Sequence, residues 1–360
     1  MLYLKKISLF QFKNYGSNSW EFTEAVTGIC GPNGTGKTNL LDAIYYLCFT
    51  KSYFARQDTF SVQQGKKGMR LEGLFENNNQ SFETVAILRE NNKKEFLLDQ
   101  ETYKKFSEHI GRFPCVMIAP DDAAIVVGLS EERRRLIDTI LSQYNATYLE
   151  ALIQYNKLLQ QRNSLLKQIA GTGQHDITLL EAIDTQFVYY GSIIYQHRKK
   201  FTIEFIPKIL ENYQLIAGSD DGISISYISQ LNENSFKDLL KASLQKDMLL
   251  QRTNSGIHKD DLEITMQENS FKNRASQGQR KTLLLAIKLA EFSVLKEQKK
   301  VAPIMLLDDV FEKLDEQRMH QLFYIVCVQE NCQVFITDTH AERLSNYLKK
   351  MQVNFSLITL

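Results

Sequence analysis

Apolar and polar residues alternate along much of the first hundred positions, the period of a strand with one buried face. Met1 to Phe10 reads this way. So do Met69 to Glu76 and Ser81 to Arg89, and Asn77-Asn78-Asn79 between them predicts the turn of an antiparallel hairpin. Val26 to Cys30 and Cys115 to Ala119 are short apolar runs with the look of buried strands, the second ended by Pro120-Asp121-Asp122. Asn39 to Leu47 reads as a helix.

The period changes after Ser130, which can cap a helix running through Asp138. From Tyr148 to Ile169 leucines and isoleucines recur at helical spacing, and Gly171-Thr172-Gly173 is expected to break that helix. A further helical stretch covers about Ile177 to Tyr213, with Pro207 expected to kink or divide it. No heptad pattern persists, so these helices predict a compact lobe of short pieces rather than a coiled coil. Strand character returns at Ile223–Ile228 and Leu262–Met266, a helix at Thr282–Lys296, and buried strands at Pro303–Leu307 and Gln333–Thr337. The pattern predicts an α/β core split between the two ends of the chain, in residues 1–122 and 211–360, with a helical lobe, 123–210, inserted between them.

Composition adds little to this picture. With 360 residues, 43% apolar and 24% charged, the chain has an ordinary globular make-up and room for two domains. The net charge of +1 requires any basic surface to be local, and the scattered lysine doublets read first as solvated surface. Five cysteines without a C-x-x-C pair fit a reducing compartment. No run approaches the eighteen apolar residues of a membrane span, so no membrane partner and a cytoplasmic location are expected.

Candidate chemistry changes the picture most. Gly31-Pro32-Asn33-Gly34-Thr35-Gly36-Lys37-Thr38 fits G-x-x-x-x-G-K-[ST] between a predicted strand and a predicted helix. Its glycines let backbone N–H groups curl round an anion, and the helix opening at Asn39 adds its dipole. Lys37 would meet β- and γ-phosphates and Thr38 would ligate Mg²⁺, which makes ATP the expected cofactor. Ile304 to Leu307 would then deliver Asp308 to the Mg²⁺ and Asp309 to the attacking water. Ser276, Gly278 and Gln279 precede the Thr282 helix and form a second candidate anion site. The economical account is that this helix end closes over the γ-phosphate bound by a second copy of the chain.

Phosphate loop, Ser-Gly motif before a helix, then an apolar strand ending in Asp308-Asp309 and followed by Leu314-Asp315, is the order of the ABC-type ATPases. Within them the chain closely resembles the RecF family. The supporting residues include Leu9 to Tyr15, Asn33 to Ile44, Lys51-Ser52-Tyr53, Ala119 to Asp122 and Arg133-Arg134. Gln161-Arg162-Asn163, Gly256 to Leu262 and Leu306 to Phe311 complete them. The resemblance implies an ABC-type ATPase head whose ATP-bound dimer clamps DNA at double-/single-strand junctions or gaps. It further implies slow hydrolysis that resets the clamp, and partnership with RecO and RecR in loading RecA. By position it implies that Gly36, Lys37 and Thr38 bind phosphates and metal and that Asp308 supports Mg²⁺. Asp309 would aid hydrolysis, Ser276 and Gln279 would reach across the dimer, and Leu314-Asp315 would lie along its seam.

Departures from the family pattern are Ile257, where proline is usual, and Lys259, where arginine is commoner. His340 has two readings, a γ-phosphate sensor or a surface histidine, and Ala119 to Asp122 lacks a Q-loop glutamine. The same three components would also suit the nucleotide-binding subunit of a transporter. Arg133-Arg134-Arg135 reads equally as a phosphate contact or as internal ion pairing with Glu131, Glu132 and Asp138. His258 with Asp260 and Asp261 reads as structural or as the edge of the nucleotide site.

Overall fold

The computed structural model describes residues 1–172, 177–310, 316–330 and 332–360. They fall into two compact units, Met1–Asp122 with Lys281–Leu360, and Ala123–Arg280. Residues 211–280, expected with the core, group instead with the helices.

The first unit carries two sheets. One is antiparallel, in the order β2-β1-β4-β5-β6-β7. Its strands are β1 (Leu2–Phe12), β2 (Tyr15–Glu21), β4 (Met69–Asn77), β5 (Gln80–Leu88), β6 (Lys94–Leu98) and β7 (Glu101–Thr102). The register of β1 against β4 shifts between Leu4 and Lys6. That extra residue flips the phase of alternation, so the buried set passes from Leu2 and Leu4 to Ile7 and Leu9 while staying on one face. The β4–β5 hairpin closes Asn77 on Gln80 as expected. Asn78 and Asn79 there take φ of 50° and 64°, the left-handed pair that a two-residue hairpin turn requires.

The other sheet is wholly parallel, in the order β14-β3-β13-β12-β8. It contains β3 (Val26–Cys30), β8 (Cys115–Ile118), β12 (Ile304–Leu307), β13 (Val334–Asp338) and β14 (Phe355–Thr359). Every residue of β3, β8, β12 and β13 is buried, as in a doubly covered parallel sheet, and the polar ones among them are Thr27, Thr337 and Asp338. The helix Lys37–Phe49 shares one apolar core with both sheets, including Leu40, Ile44 and Leu47 with Leu4, Leu71, Phe75, Met117 and Leu306. All five cysteines are buried and unbridged.

Buried charge also lies in this unit. Lys288 and Glu291, on the helix Gln277–Lys299, are 3% and 2% exposed, and their charged atoms are 3.4 Å apart. Burial, helped by Asp122 and opposed by Lys288, lifts the Glu291 carboxyl to about 7. A carboxyl raised on folding favours the folded state while protonated, so stability declines as pH rises from the ordinary 4.5 through about 7. Glu291→Gln is expected to flatten the dependence of melting temperature on pH between 5 and 8, relieving at most about 3 kcal/mol at the upper end. Parallel melting curves for parent and variant across that range would refute the assignment.

The second unit contains the antiparallel sheet β11-β10-β9, from β9 (Ile223–Ile228), β10 (Asp261–Met266) and β11 (Asn269–Ser270). Around it lie the helices Ser130–Tyr144, Ala146–Thr172, Ile177–Ala217 and Phe236–Leu250. Several expectations need adjustment. Ser130 is the first helical residue, and Leu129 occupies the cap position without a side-chain bond. The helices are not short pieces: two of them have 27 and 41 residues, the longer spanning roughly 60 Å. Gly171 and Thr172 remain helical, while Gly173 lies outside the described residues. Pro207 sits inside the 41-residue helix without dividing it. It is exposed, as is Ile203 one turn earlier, so the carbonyl that loses its partner faces water.

Candidate nucleotide-binding site

β3 runs into Gly31 to Gly36, and the helix Lys37–Phe49 begins directly after. Gly36 is the helix cap, at φ 112°. A Cβ there would stand 2.5 Å from Asn14 Nδ2 and 2.8 Å from Tyr15 Oη, so both the backbone and the space require glycine. Those neighbours hold the loop: Asn14 Nδ2 donates to Thr35 O at 2.9 Å and Tyr15 Oη to Gly36 O at 2.9 Å. Asn39 Nδ2 donates to Asn14 Oδ1 at 2.7 Å. The turn after β1 is therefore a clamp on the loop, a role that sequence likeness alone did not reveal. Lys37 is buried, and its Nζ donates to Gly31 O at 2.8 Å and Pro32 O at 3.0 Å. Pro32, Asn33 and Gly34 are exposed.

The parallel register sets Leu307 of β12 beside Ile336 of β13, and their next residues complete the site. Thr38 Oγ1 donates to Asp308 Oδ1 and Oδ2 at 2.9 and 3.0 Å. Thr337 Oγ1 donates to Asp308 Oδ1 at 2.8 Å and accepts the Asp309 N–H at 2.9 Å. Burial raises the Asp308 carboxyl, while the two hydroxyls and Lys37 pull it down. Asp309 is half-buried with φ 47°, a left-handed conformation that aspartate takes more readily than most side chains, and its N–H is held by Thr337. Thr337 is the residue missed on sequence, and its place at the end of a strand paralleling the acid-bearing one was the available signal. Beside it, buried Asp338 accepts from Arg343 Nε and Nη2 at 3.0 and 2.6 Å. His340 is exposed at the start of the helix Ala341–Lys350 and makes no side-chain cap bond.

These donors suit the expected group. A threonine hydroxyl and an aspartate in contact are hard oxygen ligands of the kind Mg²⁺ takes. Among the described residues no cluster of three or more His, Cys, Asp or Glu could enclose an ion. A metal held here would complete its shell with phosphate and water.

Ser276 caps the helix Gln277–Lys299 in a reciprocal pairing. Gln279 N donates to Ser276 Oγ at 3.2 Å, and Ser276 N donates to Gln279 Oε1 at 2.9 Å. Gln279 Nε2 donates to Asp221 Oδ2 at 3.0 Å, and Ser276 remains exposed. Leu314-Asp315 and Phe311 lie outside the described residues.

Arg133 and Arg134 resolve as internal contacts, with partners other than those expected. Arg133 forks onto both Asp261 oxygens at 2.7 and 3.0 Å, and Arg134 Nη1 donates to Asp260 O at 2.5 Å. Buried Arg198 joins Asp138 at 2.8 Å, Asp260 at 3.0 Å and Ile257 O at 2.8 Å. His258 Nδ1 lies 2.8 Å from Tyr155 Oη, and burial lowers its pKa to about 4. The His258–Asp261 segment is thus a structural hub of the second unit.

The match to known proteins extends over nearly the whole of this architecture. Residues 3–357 match the family described as RecF/RecN/SMC N terminal domain. "DNA replication and repair protein RecF" of Flavobacterium johnsoniae is 39% identical over 359 residues, covering 100% of both chains. The chain belongs to the RecF family. The RecF of Parabacteroides distasonis is 41% identical, over 98% of this chain and 96% of its own. A solved structure described as the recombination mediator protein RecF-ATPrS in the RecFOR pathway superposes with a TM-score of 0.89 at 28% identity. It covers 100% of this chain and 96% of that one. An Smc head from Pyrococcus furiosus, at 17% identity and TM-score 0.53 over 96% of this chain, shares the fold. The chain is accordingly an SMC-like ABC-ATPase-fold protein of DNA replication and repair, and the transporter reading is not favoured. No helix among the described residues is long and apolar enough to cross a membrane.

Proposed function

We propose that the chain binds ATP and Mg²⁺ at the Gly31–Thr38 loop and works as an ATP-switched clamp on DNA. The observation that carries this reading is the knot of Thr38, Asp308 and Thr337 beneath the loop. It brings a metal-type oxygen pair to the end of the Lys37 helix and fixes the backbone of Asp309 beside it. Gly31, Pro32, Asn33, Gly34, Thr35 and Gly36 would present backbone N–H groups to the phosphates. Lys37 would exchange its two carbonyl partners for phosphate oxygens, and Asn39 would brace the loop through Asn14. Thr38 and Asp308 would hold Mg²⁺, which when bound neutralises charge on the β- and γ-phosphates. Asp309 would orient and polarise the attacking water.

One chain supplies only part of the enclosure in this account. Ser276, Gly278 and Gln279 of a second copy would close over the γ-phosphate, with Ser276 acting in trans, so ATP holds a homodimer together and hydrolysis releases it. The relatives' names, which speak of DNA replication and repair and of the RecFOR pathway, support a role on DNA. In this reading double-stranded and gapped DNA is the cargo, and RecO and RecR are partners in loading RecA. Contacts to DNA phosphates make the interaction strongly salt-dependent. The test is steady-state ATP turnover with no DNA, full duplex and gapped duplex, at low and moderate salt. Slow turnover raised most by gapped DNA, and less so as salt increases, is expected. Turnover indifferent to DNA at every salt concentration would contradict the clamp.

A further inference from the structure

The helix that starts at the phosphate loop and the helix that follows Ser276 are joined by a run of polar groups within the first unit, buried except at half-buried Lys13 and Tyr53. Asp42, on the first helix and fully buried, forms an ion pair with Lys13 at 2.6 Å and accepts from Ser52 Oγ and Tyr53 N at 2.7 Å each. Tyr53 Oη then donates to Asp122, which also accepts the Ala119 N–H at 2.9 Å. Asp122 Oδ2 lies 3.4 Å from Lys288 Nζ on the second helix, and Lys288 Nζ lies 3.4 Å from Glu291 Oε2.

Asp42, Asp122, Lys288 and Glu291 are all no more than 6% exposed. Apolar residues of the same volume would pack there at lower cost in desolvation, so the charges are not explained by stability. The links are also unequal. Those at Asp42 are short and directional, whereas Lys288 stands equally far from two carboxylates, and Glu291 Oε2 has no well-formed hydrogen bond. A cation shared at long range between two carboxyl groups has two places to settle, and a two-position element is what a switch needs.

We propose that Lys288 and Asp122 are positioning residues that relay the state of the phosphate-loop helix to the helix led by Ser276. They set ATP-dependent pairing rather than affinity for the nucleotide. This rests on the dimer reading above. Two variants test it: Tyr53→Phe, which removes one hydroxyl, and Lys288→Met combined with Glu291→Met, which removes both ends of the long contact and leaves Asp122 to the Tyr53 hydroxyl and the Ala119 N–H. Nucleotide affinity is read by titration with a fluorescent ATP analogue, and pairing by sedimentation with ATP and Mg²⁺. Each variant is expected to bind nucleotide like the parent yet pair about 5- to 150-fold more weakly, the range of typical inter-site coupling. The losses should fail to add when combined, because both break one chain. Parent-like pairing in both variants, or nucleotide affinity falling in step with pairing, overturns the relay. A parent that never pairs with ATP sinks the dimer reading and the relay with it, whereas a pairing parent with pairing variants sinks the relay alone.

Discussion

Lys37→Met is expected to abolish nucleotide binding over the concentrations where the parent saturates. The ammonium sits buried at the first position of its helix, held by Gly31 O and Pro32 O, and is the one cation built into the loop. Methionine keeps the aliphatic length but donates nothing. Removing a buried, hydrogen-bonded charge from an anion site costs roughly 2–5 kcal/mol, on the order of 30- to 3,000-fold in Kd. The fold should survive, because the glycine conformations and the Asn14 and Tyr15 clamp do not depend on the lysine. Titration with a fluorescent ATP analogue measures the effect, and affinity within about threefold of the parent, under 1 kcal/mol, would remove Lys37 from the site.

The largest effect on stability is expected at Arg198. Its guanidinium is buried between Asp138 and Asp260 and also donates to Ile257 O and Tyr148 Oη. Asp260 is raised by burial and held down chiefly by this arginine, and its Oδ1 already lacks a hydrogen bond. Arg198→Met would leave Asp260 with little beyond the Tyr227 hydroxyl, at 2.5 Å. Breaking a buried pair from one side costs about 3–5 kcal/mol, roughly 6–20 °C in the melting temperature of a unit this size. Lysine should rescue little, since one ammonium cannot span four acceptors on three segments. A melting temperature within about 2 °C of the parent would show the network to be dispensable.

These two residues mark the boundary of what could be read in the chain. The phosphate loop was legible because its backbone needs glycine at fixed positions and its chemistry needs Lys37 and Thr38 next in line. Strands β3, β8, β12 and β13 were legible because a parallel strand covered on both faces is mostly apolar, with polar residues such as Thr337 and Asp338 confined to the end that meets the site. Arg198 was not, for it sits in a His-Arg-Lys-Lys run that looks like solvated surface. Only three-dimensional packing brings Asp138 and Asp260 to it. Arg133 likewise found its acid in Asp261, far along the chain, and not in the neighbouring glutamates. The helix Ile177–Ala217 runs on through Pro207 because that turn faces water, a circumstance that the residue type alone does not show. The type of Ser130 points to a cap, while the observed cap position, Leu129, has no side-chain bond.

Light scattering from the Asp309→Asn protein, in which turnover should be slow enough to hold the nucleotide state, tests the shared site most directly. With ATP and Mg²⁺ the mass should double, and adding Ser276→Arg should return it to that of one chain while nucleotide binding persists. A single-chain mass with bound ATP, or doubling that ignores Ser276, would contradict a site completed by a second copy.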